Sequence, residues 1–286
     1  MSSNSNRSLS ATVLYVSPVK WSGLMQRHQA FASCFAALGV ETIFVNPLQT
    51  GGFGFDRQKV SDNISVVTIW VPFRAANWPP LMRMSCRVAV FHMKHCKIWN
   101  PAESFLWIAD PVMADWCLYP WKNTGYDRCD RHGYFRGQRR PAYMSYERRI
   151  LEKASVVIGS SPILLSDLEM NQSSDLNKAR RPVEAYIVPN ACSASWLKSS
   201  VAALPSAKPL KLVSCGAHFE WTDMAWLELL SSLPDAQLHV VGPGRGSAFE
   251  RLIKRQGVIY HGIVEHSKLP AILDTCHVGL LPFIPS

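Results

Sequence analysis

The sequence predicts an α/β protein made of two successive Rossmann-like parallel-sheet domains, the second of them incomplete. Strand-length apolar runs alternate with helical stretches along most of the chain, the pattern of βαβ units and hence of a parallel sheet. The rhythm breaks once, at the small, polar, proline-containing "KSSVAALPSAKP", and then restarts. About seven strand candidates precede the break and four follow it, so the second sheet is expected to lack its last strands and covering helices. The division that follows is a domain over 1–190, a linker over 191–209 and a partial domain over 210–286.

Each element has its own warrant. "ATVLYVS" is a continuous apolar run of strand length. "GLMQRHQAFASCFAALG" follows with Leu24, His28, Phe31, Phe35 and Leu38 at helical spacing and Gly39 as a stop, and "VETIFVNP" completes a βαβ unit. "ISVVTIWVP", "SFLWIAD", "ASVVIGS" and "EAYIVPN" are further buried-strand candidates, with a short strand ending near Asp127, and helices are expected near 80–97, 141–153 and 161–170. After the break come "LKLVSCG", a helix at 222–232, "AQLHVVG", a helix at 247–255, "GVIYHG", a short helix at 266–273, and the strand "HVGLLPF".

At 286 residues and 48% apolar content the chain can bury a large core, which excludes a disordered protein. The net charge of +9 points to an anionic partner, and residues 74–153 hold 14 Lys/Arg against 7 Asp/Glu, so +7 of it is local. Eight scattered cysteines without a CxxC pair read as reduced thiols of a cytoplasmic protein. The N-terminus lacks the apolar region of a signal peptide, and no apolar run approaches the ~18 residues of a membrane span. The expected location is the cytoplasm, with contact at the inner face of the cell membrane. "NWPPLMRMSCRVAVFHMKHCKIW" mixes Trp, Met, Leu and Phe with Arg83, Arg87, Lys94 and Lys97; ordinary amphipathic packing and a helix lying on anionic headgroups both fit it. "HMKHC" has no second cluster to complete a zinc site, so no metal is expected, and no nucleic-acid recognition module is visible.

Two tandem α/β domains predict ligand binding at the carboxyl ends of their strands, in a cleft between them. Gly23, in "SPVKWSGLMQRH", is expected at the head of a helix, where free N–H groups favour a phosphate or carboxylate; an ordinary turn between strand and helix with a small residue fits it as well. Gly216, Gly242 and Gly262 each close a strand of the second domain. "GPGRG" (242–246) has GxGxG spacing, not GxGxxG, and the next strand ends in Tyr260-His261-Gly262 without an acid, which argues against a dinucleotide site. The densest polar constellation is "GYDRCDRHGYFRGQRRPAYMSYERR", where Asp127 and Asp130 precede His132, Arg136, Arg139 and Arg140. Such carboxylates suit general-base work or sugar hydroxyls and such arginines suit phosphate; a surface salt-bridge loop fits them equally.

Beyond these features, "QRHQAFASCFAALGVETIFVNP", "FLWIADP…YDRCDRHGYFRG…YERRILEKASVVIGSSPILLSDL…YIVPNA" and "HFEWTDMAWLELLSSLPDAQLHVVGPG…VIYHGIVEHSKLPAILDTCHVGLLPF" resemble GT-B glycosyltransferases of the family 4 type, particularly bacterial polysaccharide and teichuronic-acid transferases. The resemblance spans nearly the whole chain and is most specific at "VPN", at "HG" before the "LP" helix, and at "HVGLLPF", where His277 replaces the usual Asp.

That resemblance implies transfer of a sugar from a nucleotide-sugar to a glycan or lipid-linked acceptor, with no cofactor or metal. Gly216, Gly242 and Gly262 would line the nucleotide site, His261, Gly262 and Ile263 would meet the base, Gly23 would admit the diphosphate, and Asp127 or Asp130 would face the reacting hydroxyl. Charge builds on the leaving diphosphate, so donors aimed at phosphate should matter most. Relatives carry Arg and Lys after the first strand of the second domain; "CGAHFEWTD" offers His218 instead, leaving Arg245 or the Arg136–Arg140 cluster as substitutes. Relatives also continue past "LLPF" into an "NP…K" loop and a Glu-bearing helix, so the chain reads as truncated and activity as open. The alternatives are an epimerase-like sugar-nucleotide enzyme and a non-catalytic binding or partner protein.

Overall fold

The computed structural model describes residues 12–166, 184–192, 196 and 208–284. The chain divides into two compact units, residues 1–191 and 192–286. The 191–209 segment and the expected 161–170 helix fall largely outside the described residues; of that helix, 162–166 is described and is helical.

The first unit is an eight-stranded sheet in the order β3-β4-β2-β1-β5-β6-β7-β8. Its strands are β1 (Thr12–Val16), β2 (Glu41–Val45), β3 (Gly54–Ser61), β4 (Ile64–Trp70), β5 (Ser104–Ile108), β6 (Asn123–Arg128), β7 (Val156–Gly159) and β8 (Glu184–Ile187). Every pairing is parallel except β3 with β4. The period of two along a strand sends Leu14 and Val16 to one face and Val13 and Tyr15 to the other. Leu14 and Val16 join Met82, Val90, Trp116, Tyr146 and Ile150, under α2 (Pro79–His95), the 3-10 helix Pro111–Leu118 and α3 (Arg140–Leu151). Val13 and Tyr15 pack with Phe44 and Trp107 against Phe31 and Phe35 of α1 (Arg27–Ala37). Both faces are thus covered, as a parallel sheet requires. β3 is an addition to the expected strands: "GFDRQKVS" is largely exposed and polar, a charged edge strand whose place is set by the hairpin to β4.

α1 begins later than the spacing suggests. Gln26 caps it, exchanging side-chain and backbone hydrogen bonds with Gln29, and Gly39 ends it at φ +79°.

The second unit has four parallel strands, β9 (Leu210–Cys215), β10 (Ala236–Val241), β11 (Val258–Gly262) and β12 (Val278–Leu280), in the order β11-β10-β9-β12. Leu212, Leu227, Leu238, Val240, Phe249 and Leu252 form its core with α4 (Met224–Leu230) and α5 (Ser247–Leu252); α6 is Leu269–Leu273. Edge strand β12 is entered through His277, whose N–H donates to Lys211 O at 2.8 Å and whose Nδ1 accepts from Lys211 N–H at 2.9 Å. Beyond it, Asp223 N–H donates to Pro282 O at 2.7 Å and Ile284 N–H to Trp221 O at 2.9 Å. "HVGLLPFI" is therefore a strand followed by a segment fastened to residues 221–223.

Candidate functional site

At the carboxyl end of the first sheet the dominant feature is a buried ion pair. Asp127 on β6 has no exposed surface, and both its oxygens accept from Arg27 Nε at 3.0 Å. Arg27 is the first residue of α1, and a cation there opposes the helix dipole; Asp127 offsets that cost. Arg27 Nη1 donates to Val188 O at 2.6 Å and to Asn190 Oδ1 at 3.3 Å, so the same guanidinium holds the "VPN" segment. Arg27 Nη2 is buried without a hydrogen-bond partner among the described residues. Burial raises the pKa of the Asp127 carboxyl above its ordinary value, against the pull of Arg27.

Beside the pair lies His28. Its Nδ1 shares a 3.1 Å hydrogen bond with the Tyr15 hydroxyl, and its Nε2 is 3.8 Å from Cys129 Sγ, which is 4.0 Å from His132 Nε2. Burial, with His132 and Arg27 nearby, pushes the His28 pKa down to about 3, so the ring is neutral.

The sequence-predicted residues of this unit separate. Asp127 is sealed beneath Arg27 and cannot present its carboxylate to a hydroxyl, a correction that follows from its position inside a parallel sheet covered on both faces. Asp130 lies past the strand end and is exposed. His132 stays near Cys129 and stacks on Tyr143 at 6.4 Å. Arg139 lies over Trp78 at 5.0 Å and Arg140 over Tyr134 at 4.5 Å, while Arg136 is exposed. Asn77 brackets this arginine loop, donating to Gly137 O and accepting from Arg139 N–H, each at 2.8 Å, which fixes Arg139 at the start of α2. Gly23 is not at a helix head: it precedes the cap Gln26 by three residues, and its N–H closes a turn onto Lys20 O at 3.0 Å.

The carboxyl end of the second sheet is built of backbone. Gly216 N–H donates to Val241 O at 2.9 Å and Gly242 N–H to Gly262 O at 2.7 Å, which joins the three predicted glycines in one row. Gly242, at φ +113°, has no room for a side chain, since a Cβ would run into Gly216 O. "GPGRG" has two local reasons unrelated to dinucleotides: a side chain at Gly244 would collide with the Phe249 ring, and Gly246, at φ +93°, turns the chain into α5. Arg245 is exposed, pairs with Glu220 at 2.8 Å and lies 4.7 Å over the Phe219 ring. His218 lies under the edge, not on it: its ring is buried against Phe249 and Nε2 shares a 2.9 Å hydrogen bond with Ser214 Oγ. Its expected grip on diphosphate is therefore corrected to a packing role, with Arg245 N–H donating to its carbonyl at 3.3 Å. His261 shares a 3.0 Å hydrogen bond with His239, and Ile263 beside it is exposed.

Sequence reasoning missed Arg27, His28 and Tyr15. The available signal was "QRH" itself, a cation placed against the helix dipole and so in need of an acid. Among the described residues no three His, Cys, Asp or Glu side chains are placed to hold a metal, and no helix is long and apolar enough to cross a membrane.

No protein-family model matches the sequence, and no curated protein is similar to it in sequence. Its fold is shared with solved structures. The E. coli trehalose-6-phosphate structure bound with UDP-2-fluoro glucose matches at TM-score 0.63 and 12% identity, over 95% of this chain and 78% of that one. Anabaena HepE in complex with UDP and glucose matches at 0.60 and 12%, over 94% and 73%. An α,α-trehalose-phosphate synthase (UDP-forming) from Burkholderia vietnamiensis matches at 0.55 and 9%, over 94% and 76%. At these identities the likeness shows the fold: two Rossmann-like parallel-sheet domains of the GT-B type.

Proposed function

We propose that the chain is a glycosyltransferase of the family 4 type, moving a sugar from a nucleotide-sugar donor to a glycan or lipid-linked acceptor at the inner face of the cell membrane, without a metal. The observation that carries this reading is the glycine row at the carboxyl end of the second sheet. Three backbones meet there with no side chain between them, which leaves the strand ends open to a closely approaching ligand. Solved structures of the same fold are bound with UDP-2-fluoro glucose or with UDP and glucose, which favours a uridine diphosphate donor. In this reading Gly216, Gly242 and Gly262 floor the nucleotide site, Ile263 offers apolar surface to the base, and Arg245, the cation on that edge, meets the diphosphate. In the first unit, exposed Asp130 serves the acceptor, with the Arg27–Asp127 pair and His28 holding the strand ends in place.

UDP titration by calorimetry tests the proposal. The chain is expected to bind UDP saturably and Gly242→Ala to lose that binding. Gly262→Ala, whose Cβ would meet nothing within 4 Å, should cost only the left-handed backbone term of about 1–2 kcal/mol in stability and hold UDP better than Gly242→Ala. Absence of saturable UDP binding by the unmodified chain would overturn it. Consumption of donor without acceptor, yielding an isomerised sugar-nucleotide, would replace transfer by an epimerase-like reaction.

A further inference from the structure

We propose that the outer face of α2 in the first unit is a docking surface for an anionic lipid bilayer. It rests on the membrane location proposed above and deepens it, but it needs no premise from transfer chemistry, so membrane binding and donor binding can fail separately.

The inward face of α2 is spoken for: Met82, Ser85, Cys86, Ala89, Val90, His92 and Met93 are buried against the sheet. The outward face carries Leu81, Met84 and Phe91, spaced three and seven residues apart and so in one stripe, with half-buried Val88 leaning back onto the core. Met84 is 52% exposed and Phe91 62%. Phe53, 65% exposed, extends the stripe sideways, its ring 4.3 Å from that of His92, which in turn contacts Phe91 at 5.8 Å. Apolar surface of this kind is uncommon on a monomer unless something covers it.

The charge beside the stripe says what covers it. Arg87 and Lys94 flank it and are exposed, and α2 contains no Asp or Glu. Arg83 and Arg87 also line a cavity of about 220 Å³ with Trp116, Leu118 and Tyr119, large enough for a phosphate group. Asp115 in that cavity is already paired with Arg149 and with Arg83 at 3.4 Å, which leaves the wall net positive. At the start of the helix, exposed Trp78 under Arg139, and Tyr134 under Arg140, add two aromatic and basic pairs. An apolar stripe with Phe and Met, a Trp at one end and cations along one flank suits the boundary between acyl chains and anionic headgroups. A protein partner would have to supply an apolar groove and acids together, whereas a bilayer with acidic lipids presents both everywhere on its surface.

The test is co-sedimentation of the full chain with vesicles of phosphatidylcholine alone and with an equal share of phosphatidylglycerol, at low and high salt. Binding is expected to the mixed vesicles only, and to fall as salt rises. Met84→Glu with Phe91→Glu should abolish it. Arg87→Ala with Lys94→Ala should weaken partitioning about thirtyfold, from about 1 kcal/mol for each basic residue at an anionic surface. All four residues are exposed, so thermal melts of the variants should match the parent, which separates loss of binding from loss of fold. Equal binding to both vesicle types, no binding to either, or variants that bind like the parent would overturn the proposal. So would a concentration-dependent dimer that Met84→Glu and Phe91→Glu disperse in the absence of vesicle binding, which would make the face a contact between copies of this chain.

Discussion

The carboxyl ends of the two sheets solve the same topological problem with opposite materials. In the first unit, strand ends are filled by side chains: Arg27 on Asp127, His28 on Tyr15, Cys129 between two histidines. In the second, the equivalent positions are glycines whose backbones meet directly, Gly216 to Gly242 to Gly262. A charged, buried edge is rigid and specific but depends on every partner being present. A backbone edge tolerates loss of side chains and fails only when a side chain is added. The two units should therefore respond differently to substitution, and the size of each response measures that contrast.

The largest effect is expected at Arg27. Arg27→Met leaves the Asp127 carboxylate buried without its partner and frees Val188 O, and removal of one member of a buried pair costs about 3–5 kcal/mol. Urea denaturation should show it. Arg27→Met combined with Asp127→Leu removes the stranded charge and should recover much of that loss. A single variant within about 1 kcal/mol of the parent would mean that water reaches the pair and that the first edge is less dependent on charge than its burial suggests.

How far the sequence discloses these edges follows from how local each cause is. The parallel sheets are legible because β1 and β5 are nearly continuous apolar runs whose meaning is contained in a few residues. β3 is not, since Phe55 and Val60 are its only large apolar residues and its position comes from pairing with β4. The start of α1 reads too early, toward Gly23, because a Gln26–Gln29 cap carries none of the usual Ser, Thr, Asp or Asn signal. At the site, Asp127 stands out as a residue, but its partner Arg27 is 100 positions away, so nothing nearby announces that it is sealed and paired. His218 misleads for the same reason, because its burial depends on Phe249, 31 positions away in α5. The glycine row is readable, since each member closes its own strand.

A middle-sized effect is expected at His28 and depends on pH. Its folded pKa of about 3 lies below the ordinary 6.5, so the unfolded chain takes up the proton first. The stability tied to neutral His28 is complete above about pH 6.5 and is lost as pH falls toward 3, the loss amounting to about 2 kcal/mol at pH 5. His28→Gln keeps a polar partner for the Tyr15 hydroxyl but cannot titrate. Its urea midpoint should shift less than that of the parent between about pH 7.5 and pH 5, by an amount equivalent to about 2 kcal/mol. Equal shifts would show that another group carries the acid sensitivity of this edge.

The smallest effect on stability, and the most telling for the second edge, is expected at Arg245. Its pair with Glu220 is largely exposed and its contact with Phe219 is a surface one, so Arg245→Ala should change stability by about 0–1 kcal/mol. Binding should respond more strongly. If Arg245 is the cation that meets the donor diphosphate, its loss removes a charge-assisted hydrogen bond of about 1.5–3 kcal/mol, a roughly tenfold to hundredfold weakening of UDP. Uridine, which has no phosphate, should bind parent and variant alike, and added salt should narrow the gap for UDP. Equal losses for UDP and uridine would assign Arg245 to shaping the loop through its N–H bond to His218 O, and would leave the backbone row to hold the diphosphate without a side-chain cation.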